Sequence, residues 1–401
     1  MVKAHSLLYA IYICLLISVI CGGLLCFSNL YNQLNLHYNL HEELYIHNQS
    51  LVNFTLGNKL SHAGLEEDEK GIKGEVSFKN YGLLMLLEAR SSIKNDTIKT
   101  IHFVGSHSNS QTAIHLANFT TGLSYSGKVT LIGDLFLPSK TVESSFILNE
   151  LSRFSHQGKK EISEILLPKI NPAFENFFKG IDVEKTTMNS AGKIKDSLYF
   201  NSFHNPTKEI ILETIPNLIF KGNFILRSDK SLTIGKNAVL EDVIVMAPEI
   251  IFEEGFSGNV QAFATKKITI GKNTKLIYPS VVCVYNKTNE AAEIKISEKC
   301  TIQGAVVLFG NPLERIAENT VEINGNSTVL GDIYCSGKLD LKGNVKGSVY
   351  TNRFFLKTNS ATYDNIISNI EINCKKRPDF FISIPLFEPK NTDYGILKKA
   401  L

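Results

Sequence analysis

Five segments in the last third of the chain repeat one pattern, and this repeat restricts the fold more than any other feature of the sequence. Each segment reads as an alternating strand, a Gly/Asn turn and a second short strand. The segments begin at Ser231, Lys267, Glu293, Val321 and Lys338. Aligning Ile234, Ile270, Ile296, Ile323 and Leu341 gives intervals of 36, 26, 27 and 18 residues, close to multiples of nine. Such a repeat predicts coils stacked one on another.

Alternation within the repeats predicts which side chains point inward. Pairs such as Leu232 and Ile234 lie on one face of a strand, while Thr233 between them points away. One such strand cannot bury its apolar face alone. Stacking buries it, and each Ile, Leu or Val taken fully from water contributes about 1.5–3 kcal/mol.

The turns of the repeats contain glycine and asparagine. The glycines can adopt positive φ, and the asparagines tolerate the left-handed conformation or stack their amides from coil to coil. We therefore predict a mainly β fold, a right-handed parallel β-helix preceded by a single long amino-terminal transmembrane and stalk helix. A β-sandwich gives similar alternation and stays an alternative. The predicted structural turn residues are Gly235, Asn237, Gly271, Asn273, Gly325, Asn326, Gly343 and Asn344.

The amino terminus carries an apolar run, Leu7 to Phe27, of twenty-one uncharged residues. As a helix it measures about 31 Å, which matches a hydrocarbon core about 30 Å thick. The run is longer than the apolar region of a cleaved signal peptide, and no small-x-small site follows it. We therefore expect residues 7–27 to stay in the lipid bilayer of a bacterial inner membrane as an uncleaved, single-pass anchor.

Charge around this run predicts its orientation. Lys3 precedes it, and no Lys or Arg follows until Lys59. The positive-inside rule then leaves the amino terminus in the cytoplasm and the bulk of the chain extracytoplasmic, in the periplasm. Beyond the run, one-faced apolar spacing predicts that the helix continues as an amphipathic stalk. Its predicted face consists of Leu30, Leu34, Tyr38, His41, Leu44, Tyr45 and Val52.

Six regions are expected along the chain. Residues 1–28 form the anchor, 29–60 the stalk helix, and 61–144 a small β region or the first coils. Residues 145–215 form a partly helical insertion, 216–375 the β-helix repeats, and 376–401 a carboxy-terminal tail. Gly127 to Pro138 repeats the turn pattern of the later coils, which favours a solenoid that begins before residue 140 and is then interrupted.

Three resemblances follow from these features. The apolar start continued by an amphipathic helix resembles type IV pilin-like proteins, in particular minor subunits of the PilX or pseudopilin type. The aliphatic pairs and Gly/Asn turns of about residues 217–360 resemble bactofilin-like, polymer-forming β-helices. The KAHSLL and LPx stretches look similar to membrane-anchored proteins of the Bacteroidetes type. The Gly and the Phe-Thr-Leu-Ile-Glu of a prepilin processing site are missing, and a simple signal anchor explains the same start.

No residue pattern indicates an enzyme or a cofactor. His37 and His41 have metal-binding spacing without the Glu of an HExxH motif, so a solvated helix face is the plainer interpretation. Asp242, Asp332 and Asp340 do not form a catalytic row, because matching positions hold Pro279 and Gln303. Cys283, Cys300, Cys335 and Cys374 have no CxxC spacing; they are interpreted as buried hydrophobes, with disulfides as the alternative.

Charge argues against one class of partner. The net charge of +3 is small and no basic stripe is present, so nucleic acid is not expected as a partner. We expect a noncatalytic, membrane-anchored structural subunit, associated with other pilin-like or envelope subunits. A self-associating or polysaccharide-binding scaffold, including a homo-oligomer, is the alternative, and a β-helical polysaccharide lyase or hydrolase is a third.

Overall fold

The structure, a computed structural model, describes residues 4–58, 71–107, 111–119, 121–147, 151–172, 174, 177, 197–286, 290–310, 319–358, 360–378, 381–387 and 393–401. Lys3, Lys59 and much of the expected insertion, residues 178–196, lie outside these ranges. The prediction of a mainly β protein with one long amino-terminal helix is confirmed. Helix α1 covers Ala4–Gly57, and a short 3-10 helix covers Cys374–Lys376.

The described residues form 29 strands, numbered in chain order. They are β1 Lys73–Tyr81, β2 Leu84–Ile93, β3 Asp96–Ser106, β4 Thr112–Leu116, β5 Ser124–Ile132, β6 Asp134–Leu137, β7 Glu143–Ser144, β8 Arg153–Gln157, β9 Lys160–Ile162, β10 Leu198–Asn201, β11 Lys208–Ile211, β12 Thr214–Ile215, β13 Ile219–Gly222, β14 Phe224–Arg227, β15 Ser231–Ile234, β16 Val239–Glu241, β17 Val243–Phe252, β18 Ser257–Gly258, β19 Val260–Ile270, β20 Lys275–Asn286, β21 Glu293–Ile296, β22 Thr301–Gly310, β23 Thr320–Ile323, β24 Thr328–Leu341, β25 Asn344–Lys346, β26 Val349–Lys357, β27 Thr362–Asp364, β28 Ile366–Asn373 and β29 Tyr394–Lys399.

The chain divides into two compact units. Unit one comprises Met1–Ser77 and Glu88–Thr100, and unit two comprises Phe78–Leu87 and Ile101–Leu401. The apolar residues of α1 from Leu7 to Tyr38 are exposed, whereas Leu44, Leu51 and Val52 are buried. Of the predicted stalk face, Leu44 and Val52 are therefore buried and the other five members are exposed.

A buried polar network holds the second half of α1 within unit one. The Asn48 amide donates to the carbonyl oxygen of Ala89 at 3.0 Å, and the Thr100 hydroxyl donates to Asn48 Oδ1 at 2.6 Å. His47 Nδ1 and Ser91 Oγ lie 2.9 Å apart. Because these groups leave water together, each needs its partner, and the network fixes how the helix lies on its strands.

Most strands of unit two join in parallel ladders, which define the parallel stack, the described residues of 112–162 and 198–373. One ladder passes in register through Ile215, Ile234, Phe252, Ile270, Ile296, Ile323 and Leu341. A second passes through Ile210, Leu226, Val245, Ala262, Val282, Val306, Ile333, Val349, Ile114 and Leu135. A third passes through Gly258, Leu276, Ile302, Val329, Val345, Ile372 and Leu131.

The first ladder contains all five residues aligned from the sequence. The interval of 36 residues between Ile234 and Ile270 is two intervals of 18, because Phe252 pairs with both residues. Nearly all the residues of these ladders are buried and belong to one hydrophobic core. Stacking therefore buries the alternating apolar face that no single strand can bury.

One face of the stack is buried on its outer side as well. Strands β17, β20 and β22 carry the near-continuous apolar runs VIVMA, SVVCVY and GAVVLF, as expected for strands covered on both faces. Their outward residues form a second core with Leu167, Ile170, Phe174, Ile384 and Leu386. Described residues of at least two stretches, 167–174 and 381–387, thus help to cover this face.

The order of coils in space differs from their order along the chain. Strands β4 and β5 pair in parallel with β26 and β28. The described residues of 112–144, considered from the sequence as part of a small β region or the first coils, therefore lie beyond the last of the later coils. The expected insertion, residues 145–215, contains β8 to β12 in its described part.

Candidate functional site

The predicted turn residues occupy tight corners of the stack. A Cβ atom added at Gly235, Gly271 or Gly343 would lie 2.6, 2.7 or 2.6 Å from a backbone atom of the neighbouring coil. Close approach, and not positive φ, therefore requires glycine at these three positions. Gly325 has open space around it. Asn273 and Asn326 adopt the left-handed conformation, with φ of 57° and 59°.

The two remaining turn asparagines differ in role. Asn344 Oδ1 accepts a hydrogen bond from the Glu371 backbone N–H at 2.9 Å, which links successive coils. Asn237 is exposed at its corner. The eight predicted turn residues thus shape corners and do not converge on one chemical site.

Each carboxylate weighed as a catalytic candidate has its own cation. Asp340 lies 3.0 Å from Lys342 Nζ, Asp242 lies 2.9 Å from Lys398 Nζ, and Asp332 pairs with Arg377. Gln303, at a matching position, accepts a hydrogen bond from the Tyr278 backbone N–H. Each of these carboxylates is thus engaged in an ion pair within the fold.

An acid–lysine cluster, Lys221, Glu241, Asp242 and Lys398, joins strand β29 to the stack. Lys398 Nζ lies 2.9 Å from Glu241 Oε1 and 2.9 Å from Asp242 Oδ2, and Lys221 Nζ lies 3.1 Å from Glu241 Oε2. The Tyr81 hydroxyl donates to the carbonyl oxygens of Phe224 and Asp242 at 3.0 and 3.1 Å. The cluster lies at a corner where Asp242 has a φ of 59°.

Burial and charge shift the two acids of this cluster in opposite directions. The hydrogen bond from Lys398 lowers the pKa of Glu241. Burial raises the pKa of Asp242, although the charge of Lys398 opposes the shift. Burial alone would lower the pKa of Lys398, but the nearby charge of Asp242 raises it. The arrangement is an ion-pair clamp on the carboxy-terminal strand.

A second clamp, centred on Arg377, lies where the chain leaves the stack. The Arg377 guanidinium donates to Asp332, to Ser348 Oγ at 3.0 Å and to Ser383 Oγ at 3.1 Å. It also lies 5.9 Å from the ring centroid of Phe381. The Arg377 and Asp332 side chains are only 11% and 14% exposed, so the pair is largely removed from water.

The terminal coils of the stack form two candidate interaction surfaces. The first end carries β10, β11 and β12, and the second end carries β7, β8 and β9. Within the described ranges no strand pairs in register beyond β11 and β12 or beyond β8 and β9. Apolar side chains are exposed at both ends, including Leu198, Phe200 and Ile211 at the first and Phe146, Leu151 and Ile162 at the second.

Metal and thiol chemistry have little support among the described residues. No group of three or more His, Cys, Asp or Glu side chains there could hold a metal ion. The rings of His37 and His41 lie 6.5 Å apart, and His37 Nδ1 lies 4.0 Å from Asp96 Oδ2. Cys283, Cys300, Cys335 and Cys374 are free. Cys283 and Cys335 are buried, and burial raises the pKa of their thiols. Both residues pack as small apolar side chains.

Comparisons with protein-family models, with curated proteins and with solved structures found no match. Among the described residues one helix, α1, is long and apolar enough by length and composition to cross a membrane, and its most apolar stretch is not buried in the protein.

Proposed function

We propose that this protein is a noncatalytic structural subunit, anchored by a single membrane pass, whose parallel stack lies outside the cytoplasm. The observation that carries the proposal is the continuity of α1, which has exposed apolar side chains over Leu7 to Phe27 and a packed face from Leu44 onward. An exposed apolar helix of this length suits lipid and is unfavourable in water.

We assign the stack to the right-handed β-helix class. Three in-register parallel ladders, joined by crossovers from one strand to the next parallel strand, support this assignment. Parallel crossovers within one sheet are right-handed in about 98% of cases. An experimental structure of unit two tests the assignment, and left-handed winding would contradict it.

Membrane insertion is tested with one charge placed inside the apolar run and a matched charge outside it. A charged side chain at the centre of a membrane helix costs about 2.5–3.5 kcal/mol. We expect Leu16→Arg to reduce the fraction that resists carbonate extraction, whereas Leu36→Arg should leave it unchanged. Equal extraction of both variants and the unaltered protein would count against the anchor.

We further propose that the subunit belongs to a pilin-like envelope assembly of a pilus or secretion type. The long helix, apolar first and packed against its own globular part second, supports this proposal. Gentle crosslinking in membranes, followed by purification and mass spectrometry, should recover other pilin-like subunits. Recovery of the uncrosslinked monomer alone would argue against it.

A second candidate, a self-associating scaffold, is favoured by the two ends of the stack. Among the described residues, strand edges without a pairing partner and exposed apolar side chains lie at both ends, and such edges are suited to pairing with another chain. Ile211→Lys or Ile162→Lys should then reduce the assembly size measured by light scattering. Ile251→Lys, on the side of the stack, is the matched control. If all three variants behave alike, the ends do not mediate association.

A further inference from the structure

Six exposed residues of α1 form a regular stripe, here named the stalk seam: Phe27, Tyr31, Leu34, Tyr38, His41 and Tyr45. Their successive spacings are 4, 3, 4, 3 and 4 residues. The same spacing continues backward into the apolar run through Leu24 and Ile20. This is the heptad spacing of the core positions of a coiled coil.

The surroundings of the stalk seam are polar, and they are uncharged from Phe27 to His41. Asn32, Gln33, Asn35 and Asn39 lie beside it, no Asp, Glu, Lys or Arg occurs from Leu7 to His41, and Glu42 and Glu43 follow before the last member, Tyr45. Two identical seams could therefore meet from Phe27 to His41 without like charges opposing each other. In water, by contrast, a stripe of exposed Phe, Tyr and Leu side chains has no favourable partner.

The stalk seam ends at Tyr45, because the helix is buried on this face further toward its carboxy terminus. The next residues with the same spacing are Asn48 and Val52, and both are fully buried within unit one. The helix thus uses this face for its own globular part from Asn48 onward and leaves it open above Tyr45. The open part begins at the edge of the apolar run.

We propose that the stalk seam packs against the stalk seam of a second copy of this chain, as a parallel, in-register coiled coil next to the bilayer. This inference rests on the proposed membrane anchor, because the anchor gives two copies the same orientation and depth. Identical residues then meet, Tyr31 with Tyr31 and Leu34 with Leu34. A different protein would have to match both the heptad phase and the height above the membrane, whereas a second copy matches both automatically.

Disulfide crosslinking of the full chain in membranes tests the contact. The background replaces Cys14, Cys21 and Cys26 by Ala and Cys374 by Ser, and keeps the three buried cysteines. Leu34→Cys places a thiol on the stalk seam. Leu36→Cys is the matched control, since Leu36 is also exposed, 69% against 49% for Leu34, but lies about 200° further round the helix.

We expect oxidation to give a covalent homodimer at least tenfold more abundant for Leu34→Cys than for Leu36→Cys. Equal yields from both, no dimer from either, or a product of Leu34→Cys with another protein would overturn the proposal. Carbonate extraction of the same membranes separates the two claims. Protein that is not membrane-bound refutes the anchor, and membrane-bound protein without the Leu34→Cys dimer refutes only the pairing.

A second arm uses charge in place of crosslinking. Leu34→Glu should reduce co-purification of two differently tagged copies at least tenfold, because it places identical charges opposite each other, whereas Leu36→Glu should not reduce it. Unchanged co-purification in Leu34→Glu would contradict the pairing, provided that its membrane fraction equals that of Leu36→Glu.

Discussion

At the scale of single residues, the Arg377 clamp is the clearest electrostatic feature of unit two. Its guanidinium is shared between Asp332, Ser348 and Ser383, and the charged pair is largely buried. When one partner of a buried pair is removed, the other charge is left without compensation. The clamp therefore links Arg377 and Ser383 to Asp332 of β24 and to Ser348, which directly precedes β26.

Arg377→Ala should lower the free energy of unfolding by about 3–5 kcal/mol, because Asp332 would remain as a buried, unpaired carboxylate. Denaturant titration monitored by circular dichroism measures the loss. The matched control is Lys272→Ala, which breaks an exposed pair with Glu298 at 3.3 Å and should cost at most about 1 kcal/mol. Losses of similar size in the two variants would contradict the assigned role of Arg377.

The acid–lysine cluster predicts a pH dependence with a definite sign. The pKa of Glu241 is lowered in the folded protein, so its contribution is present above its ordinary value of 4.5 and is lost as the pH falls through the folded value. We expect the stability difference between Glu241→Gln and the unaltered protein to be largest near neutral pH and to shrink below about pH 4.5.

Asp242 should behave in the opposite way. Its pKa is raised, so its contribution is present at low pH and is lost as the pH rises through the folded value. Asp242→Asn should therefore gain stability relative to the unaltered protein as the pH rises from about 3 to about 7. Parallel pH profiles for Asp242→Asn and Glu241→Gln would refute the opposite assignments.

At the scale of elements, the turns show why residue type is restricted at some corners and free at others. Gly271 approaches the backbone of Phe252 and Glu254 in the preceding coil, whereas Gly325 has no neighbour within 4 Å of an added Cβ. Gly271 directly follows the aligned Ile270, whereas Gly325 lies two residues after the aligned Ile323. The two glycines therefore differ in their place in the turn and in how closely the neighbouring coil approaches them.

Gly271→Ala should destabilise unit two by about 1–3 kcal/mol, since backbone atoms must move to admit the methyl group. Gly325→Ala should be neutral within about 0.5 kcal/mol. Thermal unfolding of the two variants, measured side by side, provides the comparison. An equal cost at both positions would show that the spacing between coils does not decide the requirement for glycine.

The sequence predicted those elements whose signal is local. Period-two alternation and Gly/Asn turns identified the register of Ile234, Ile270, Ile296, Ile323 and Leu341. The coil through Phe252 was missed, because its turn, FEEGFSG, lacks the GKN pattern of its neighbours. Strands buried on both faces also lose alternation, so VIVMA gives no indication of which residues face inward.

At the scale of the whole molecule, the order of the coils could not be read from the sequence. Residues 112–116 stack on 349–351, more than 230 residues later in the chain, and no local pattern specifies that pairing. The two clamps were missed for the same reason. The residues around Asp242 and Lys398 in the sequence give no indication that the two side chains pair. Only the fold brings Lys398 Nζ within 2.9 Å of Asp242 Oδ2.

The anchor, by contrast, could be predicted from the sequence. The length of an apolar run and its lack of charge identify a candidate membrane-crossing helix without any tertiary information. The orientation of the chain across the membrane follows from Lys3 and Lys59 in the sequence and stays a prediction. The central claim, that α1 holds the parallel stack outside the cytoplasm, depends on this orientation.

Labelling with a membrane-impermeant maleimide tests that claim most directly. A cysteine is introduced at Glu298, an exposed corner of the stack, in a chain with Cys374 replaced by Ser. In intact spheroplasts we expect Glu298→Cys to be labelled as fully as it is after lysis. Labelling that appears only after the cytoplasmic membrane is broken would contradict the account.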